Sequence, residues 1–233
     1  MSIYISALDL GQAHDHSALI IAEVSGARRM VTYEGRDRET GLPVTVKKPV
    51  EMMPLAQVDV RHVERFELQT KYTSIAHQTR LRMLKVPTPR YLAVDKTGVG
   101  RGVIEHFEEL TPIGITITGG ANVQMTGQQD YNVPKRDLVA GAQLCVQNRV
   151  LRIAKGLPHA ALLTEEMGKF RAKISASGHE SFEAWREADH DDLVLALAIG
   201  IWTASQIISM QALQVLNAIK AANRGEPPQI SPY

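Results

Sequence analysis

The sequence predicts an α/β domain: a mixed five-stranded sheet flanked by helices, with a β-ribbon inserted early in the chain. Three observations predict it. Five short apolar runs bounded by turn residues (2–9, 17–24, 58–68, 90–95 and 114–118) have the length and composition of strands. Longer segments between and after them (72–85, 101–110, 135–147, 159–173 and 191–223) read as helices. A turn-rich stretch, 28–50, separates the second and third strands and is too long for a simple hairpin loop.

Residues 2–9 carry apolar side chains in succession, so this strand is central in the sheet, covered on both faces. Gly11 to His16 make the turn into Ser17–Val24. In the stretch 28–50, Arg36-Asp37-Arg38-Glu39-Thr40-Gly41-Leu42-Pro43 supplies the turn of a ribbon. Val58–Leu68 returns to the main sheet. The helix Tyr72–Lys85 ends before Pro87, because the residue before a proline is pushed out of the helical region. Arg90–Asp95 and Gly114–Thr118 are strands around a helix near Arg101–Leu110, and Gly119–Asn132 is a polar loop or ribbon. Lys135–Gln147 and His159–Lys173 are helices, the second with Pro158 near its first turn. Asp191–Asn223 is a long helix with a break expected at Gly200. Arg224–Tyr233 reads as a loose tail, and 1–233 as a single domain.

Composition narrows the function classes. Hydrophobic residues are 44% of the 233, which supports a sizeable core and argues against global disorder. Aromatic residues are 5%, too few for a single-strand binder built on stacking platforms. One cysteine, Cys145, excludes an internal disulfide framework and a cysteine-rich zinc site, and fits a reducing cytoplasm. No secretory signal precedes the first strand. The longest apolar run, Leu193–Ala204, reads as too short and too near charge to span a bilayer, so no membrane is expected. Net charge is only +1, but its distribution is uneven: 61–101 holds nine Lys/Arg against three Asp/Glu, whereas 174–192 holds six acids against Arg186. Basic flanks around an acidic pocket suit a phosphodiester substrate; ordinary solvated charge is the alternative.

The acids stand in three places. Asp9 ends the first strand, Asp95 ends the fourth, and Asp189, Asp191 and Asp192 crowd the start of the last helix. A carboxylate at the end of a buried strand is costly unless a cation meets it, and carboxylates are the hard oxygen ligands that Mg²⁺ or Mn²⁺ prefer. Each has a plainer reading. Asp9 and Asp95 could be turn or capping residues, and acids at a helix N-terminus favour its dipole. The dipole accounts for one or two acids, and it leaves the two strand-end acids unexplained. Asp15, Asp189 and His190 are candidates to stand behind the metal ligands; Asp15 could equally make an Asx-turn. His14 and His16 lack ligand-spaced partners. Lys96, Arg101, Arg80, Arg82, Lys135 and Arg136 are candidates for phosphate contacts. Gly98 and Gly100 would let backbone approach a ligand closely. No Gly-x-x-x-x-Gly-Lys-Ser/Thr occurs, which excludes a P-loop ATPase, and Cys145 reads as core packing.

The string Ala7-Leu8-Asp9-Leu10-Gly11, followed by Asp15-His16-Ser17-Ala18, resembles the first nuclease motif of phage terminase large subunits, which are RNase H-like. Val94-Asp95-Lys96-Thr97-Gly98-Val99-Gly100 resembles their second, and His190-Asp191-Asp192-Leu193-Val194-Leu195-Ala196-Leu197-Ala198 their third. Asn132-Val133-Pro134-Lys135-Arg136-Asp137-Leu138-Val139 is similar to the segment before their last helices. The resemblance covers nearly the whole chain. It implies an endonuclease that cuts double-stranded DNA during phage genome packaging in the bacterial cytoplasm, using two divalent cations, Mg²⁺ or Mn²⁺. Asp9, Asp95 and Asp192 would be catalytic, with Asp191 as a further metal ligand. Implied partners are DNA, a packaging ATPase domain, the small terminase subunit and the portal. Full large subunits carry the ATPase on the same chain; this sequence shows none, so it reads as an excised domain or a naturally short protein.

RuvC-like resolvases of branched DNA share the expected fold and similar acids, and form the first alternative. An actin-like or sugar-kinase phosphotransferase is the second, because Asp-Leu-Gly also fits that phosphate loop. A non-catalytic module with structural acids is the third.

Overall fold

The computed structural model describes residues 2–11, 15–36, 40, 42–176 and 191–224. Among the described residues, eight strands form one mixed sheet: β1 (Ser2–Asp9), β2 (Ala18–Arg36), β3 (Pro43–Arg65), β4 (Arg90–Asp95), β5 (Ile113–Thr118), β6 (Gln124–Met125), β7 (Asp130–Pro134) and β8 (Leu151–Ile153). Their order is β6-β7-β5-β4-β1-β2-β3-β8. The helices are α1 (Tyr72–Met83), α2 (Gly100–Val103), α3 (Lys135–Gln147), α4 (Ala160–Ala176) and α5 (Asp192–Arg224), with a 3₁₀ segment at Ile104–Leu110.

The five strands expected from sequence form the centre, in the order β5-β4-β1-β2-β3. β1, β2 and β3 pair antiparallel; β1, β4 and β5 pair parallel. This is the mixed α/β arrangement expected from sequence. Three short strands widen it at the edges. β6 and β7 come from the segment read as a polar loop or ribbon. β8, only three residues long, adds parallel to β3 and was hidden by its length.

The expected ribbon is also present, in a simpler form. β2 and β3 do not stop and restart; they run on together, pairing from Ala18↔Arg65 to Arg36↔Pro43. Residues 37–39 and 41 of the expected turn, and 225–233 of the expected tail, lie outside the described residues.

Period-two burial divides each central strand between two cores. On β1, Ile3, Ile5 and Ala7 enter the layer beneath α5, while Leu8 enters the layer beneath α1. On β4, Ala93 faces α5, whereas Leu92 and Val94 face the other way. Asp9 follows Ala7 by two and Asp95 follows Ala93 by two. Both carboxylates are thereby assigned to the α5 side.

α5 explains why that side is tightly defined. No break occurs at Gly200; the helix is continuous from Asp192 to Arg224. The glycine serves packing instead: a Cβ there would lie 3.2 Å from the Ala7 Cβ. Two small residues, one on the helix and one on the central strand, let α5 settle close on β1. The stretch Asp192–Gln211 is in fact long and apolar enough to cross a membrane by length and composition, but 72% of it is buried against the sheet, as expected of a core helix.

Candidate metal centre

β1, β4, β5 and β7 run parallel, so their C-terminal ends share one edge of the sheet. Ligands commonly bind outside the carboxyl ends of parallel strands. Asp9 and Asp95 end two neighbouring strands at that edge, and α5 begins over it with Asp192. All three are buried: Asp9 is 9% exposed, Asp95 5% and Asp192 7%.

The carboxylates act on one another. Burial raises the Asp9 carboxyl well above the usual carboxylate range, and the charges of Asp95, Asp192 and Asp191 raise it further. A side-chain hydrogen bond with Asp95 adds to the effect. Residues 9, 95, 191 and 192 are therefore one electrostatic unit, although they come from three distant segments.

Local contacts hold each member. The Thr97 N–H donates to Asp95 Oδ1 at 2.7 Å, an Asx-turn, so the capping reading is true as well. Gly98 adopts φ 67°, which only glycine accepts readily. A Cβ on Gly100 would strike the Asp95 carbonyl. These glycines thus build the turn that carries Asp95, rather than opening backbone to a ligand. Gly11 has the same role after Asp9: a Cβ there would strike the carbonyls of Asp15 and His16. Tyr72 Oη donates to the Gly11 carbonyl at 2.9 Å, and the Gly11 N–H donates to Ser17 Oγ at 3.1 Å. His16 Nδ1 lies 2.7 Å from the Phe66 carbonyl and ties the turn to the end of β3.

Two residues absent from the sequence reading complete the centre. Arg65 ends β3, and its Nη2 lies 3.2 Å from Asp192 Oδ2. A β-bulge puts it there. Ala22 pairs with Val60 but Ile21 pairs with His62, so Arg61 is the extra residue. Before the bulge Val58 and Val60 face α5; after it Val63 does, and Arg65 follows Val63 by two. Without the bulge, Arg65 would lie on the opposite face. Glu166, on α4, is 4% exposed, and its Oε2 accepts the N–H groups of Leu193 and Val194 at 3.2 and 3.3 Å. It caps the first turn of α5 from another helix. Burial pushes its carboxyl up to about 7, against the pull of the Val194 N–H and Arg65.

The remaining candidates divide between this edge and other parts of the surface. Asp15 is exposed in the turn after β1. Asp189, His190 and His14 lie outside the described residues. Lys96 Nζ pairs with Asp130 at 2.9 Å, Arg80 with Glu109 at 2.9 Å, and Arg82 with Glu64 at 3.2 Å. Arg136 lies 3.5 Å from Asp137 and also contacts the Ala121 carbonyl. Arg101 is exposed on α2, directly after the Asp95 turn. Lys135 and Arg136 follow β7 at the same sheet edge as the carboxylates. Cys145 is buried and its thiol is pushed up to about 11, as core packing requires. A cavity of about 470 Å³ lies behind α5, between Ala142, Val146, Leu151, Met167, Val194 and Leu197. None of the four acids lines it.

A divalent cation fits this donor set by chemistry. The donors are hard oxygens, and a cation would offset the burial and repulsion that raise Asp9. Among the described residues, no three His, Cys, Asp or Glu side chains stand ready-made as a cage. Asp192 Oδ2 faces Arg65, and Asp95 Oδ1 accepts the Thr97 N–H.

No protein-family model matches the chain, and no curated protein matches it. Among solved structures, the chain is similar to the human cytomegalovirus terminase nuclease domain, Mn soaked and inhibitor bound. That similarity has a TM-score of 0.48 at 10% identity, and covers 90% of this chain and 86% of the other.

Proposed function

We propose that the chain is a divalent-cation-dependent endonuclease that hydrolyses phosphodiester bonds in double-stranded DNA during phage genome packaging. One observation carries this reading: buried carboxylates from β1, β4 and the start of α5 converge at one sheet edge, where burial and their mutual repulsion together raise Asp9. Burying repelling acids is unfavourable in a purely structural site.

Asp9 is central, because it is the member on which the other three act. Asp95 would take one Mg²⁺ or Mn²⁺ from the β4 side, and Asp192, with Asp191 beside it, a second from the α5 side. When bound, such a pair supplies positive charge to activate water and to stabilise the leaving oxygen of an in-line displacement. The chain's own residues set the stage for this. Thr97 orients Asp95, and Glu166 fixes the first turn of α5 that presents Asp192. Arg101, Lys135 and Arg136 flank the acids at the same sheet edge and would hold DNA phosphates, giving binding that depends little on sequence. Asp15 lies at that edge as well and would act behind the ligands. DNA would be presented by packaging partners, namely the ATPase, small subunit and portal.

Supercoiled plasmid provides the test. With Mn²⁺ or Mg²⁺, purified protein is expected to yield nicked and linear forms, and none with EDTA. Robust cleavage in excess chelator would show that cations are not required. A preference for four-way junctions over linear duplex would favour a resolvase instead.

A further inference from the structure

Five buried side-chain atoms lack a hydrogen-bond partner among the described residues; three are the hydroxyls of Ser6, Thr79 and Thr203, and the two on charged groups are Arg65 Nε, a donor, and Glu166 Oε1, an acceptor. Native proteins leave few such atoms, because each costs the full desolvation of its group. Both flank Asp192. Arg65 is the ion-pair partner of Asp192 itself, at 3.2 Å, with side chains only 15% and 10% exposed. Glu166 caps the two residues that follow, Leu193 and Val194. Arg65 is also close enough to Glu166 to draw its carboxyl downward.

The pairing creates a conflict. Arg65 occupies an oxygen of Asp192 that a cation would need. A divalent ion carries more charge than a guanidinium and approaches carboxylate oxygen more closely, so it wins that oxygen. The displaced guanidinium then needs an acceptor, and Glu166 Oε1 is one. From this we propose that Arg65 is an exchangeable counter-ion, holding Asp192 in the cation-free protein and passing to Glu166 when a divalent cation takes Asp192. Arg65 and Glu166 are positioning residues in this scheme, acting on the reaction only through Asp192. The exchange keeps the acidic centre folded without metal, and lowers its affinity for metal until the guanidinium has moved. The inference rests on the proposal that Asp192 is a metal ligand.

Calorimetric titration of the cation-free full chain with Mn²⁺ separates the two. Arg65→Gln is expected to bind Mn²⁺ about tenfold more tightly than wild type, since the competitor is gone. Its cation-free thermal midpoint should fall. Glu166→Gln should bind several-fold more weakly, because the displaced guanidinium loses its charged acceptor. Arg101→Gln, an exposed charge at the same edge, should stay within about twofold. Structural damage weakens metal binding and does not tighten it. Unchanged or weaker binding by Arg65→Gln overturns the exchange, as does equal tightening by Arg101→Gln, which would indicate a general field. If Arg65→Gln fails to fold, Arg65→Lys keeps the charge without the fork; it should tighten binding in the same direction but less, and equal or weaker binding overturns the proposal. Wild type that binds no Mn²⁺ overturns the metal centre itself. Wild-type binding with Arg65 variants unchanged overturns only the exchange.

Discussion

Asp9→Asn is expected to abolish plasmid cleavage while leaving the cation-free protein at least as stable as wild type. Loss of a metal-holding charge removes several kcal/mol of transition-state stabilisation, roughly a thousandfold or more in rate. Stability should move the other way, because Asp9 is buried among acids that repel it. Asn keeps the shape and removes the repulsion. The three principal acids should not behave alike in this respect. Asp95→Asn can keep the Asx-turn through its amide oxygen, so its cation-free stability should change little. Asp192→Asn strands the Arg65 guanidinium in a largely buried position and should cost about 1–3 kcal/mol. Thermal or urea unfolding in EDTA, alongside plasmid cleavage, reads all three. Normal cleavage by Asp9→Asn, together with lost stability, would return Asp9 to a purely structural role.

The second large effect is in pH. In EDTA the protein should lose stability as pH rises from about 4.5 to about 7. The sign follows from the raised carboxyls. Glu166 goes from an ordinary glutamate value when unfolded to about 7 when folded, and Asp9 is raised in the same direction. Between those values the native state holds more protons than the unfolded chain, so stability falls as pH climbs. For Glu166 alone the loss has an upper bound on the order of 3 kcal/mol. Saturating Mn²⁺ should oppose the trend, because ligands must be ionised to bind and metal binding releases protons. Midpoints at pH 5 and 8 with EDTA, for wild type, Glu166→Gln and Asp9→Asn, test this. Both variants should show a flatter dependence, and wild type that grows more stable over the same range would contradict it.

Much of this centre was legible in the sequence, for a physical reason. Asp9 and Asp95 each follow an apolar strand, and strand periodicity alone assigns them to one face once the buried neighbours Ala7 and Ala93 are known. Asp192 opens a long apolar run, Leu193–Trp202. Those signals are local. Arg65 was not legible, because the bulge at Arg61 reverses which residues of β3 face α5, and a bulge leaves no reliable local mark. Glu166 was closer to readable: it lies with Leu163 and Met167 on the apolar stripe of α4, where an acid is out of place. β8 was missed because three residues carry too little periodicity, while the ribbon was seen but read as separate from the strands it extends. Gly200 misled in the opposite direction: a weak helix former was read as a break, whereas close packing on Ala7 determined its use. The surroundings of the candidate phosphate contacts were the least legible, since a sequence shows a basic residue but not the acids it meets, as with Arg80 and Glu109 or Lys96 and Asp130.

The central claim is that buried carboxylates from β1, β4 and α5 form a divalent-cation centre. Anomalous X-ray diffraction near the manganese edge, from crystals soaked in Mn²⁺, tests it most directly. The account predicts anomalous peaks within ligand distance of Asp9, Asp95 and Asp192, and their loss in Asp9→Asn crystals. Manganese bound only elsewhere on the protein, with the Asp9–Asp95–Asp192 cluster empty at saturating Mn²⁺, would contradict it.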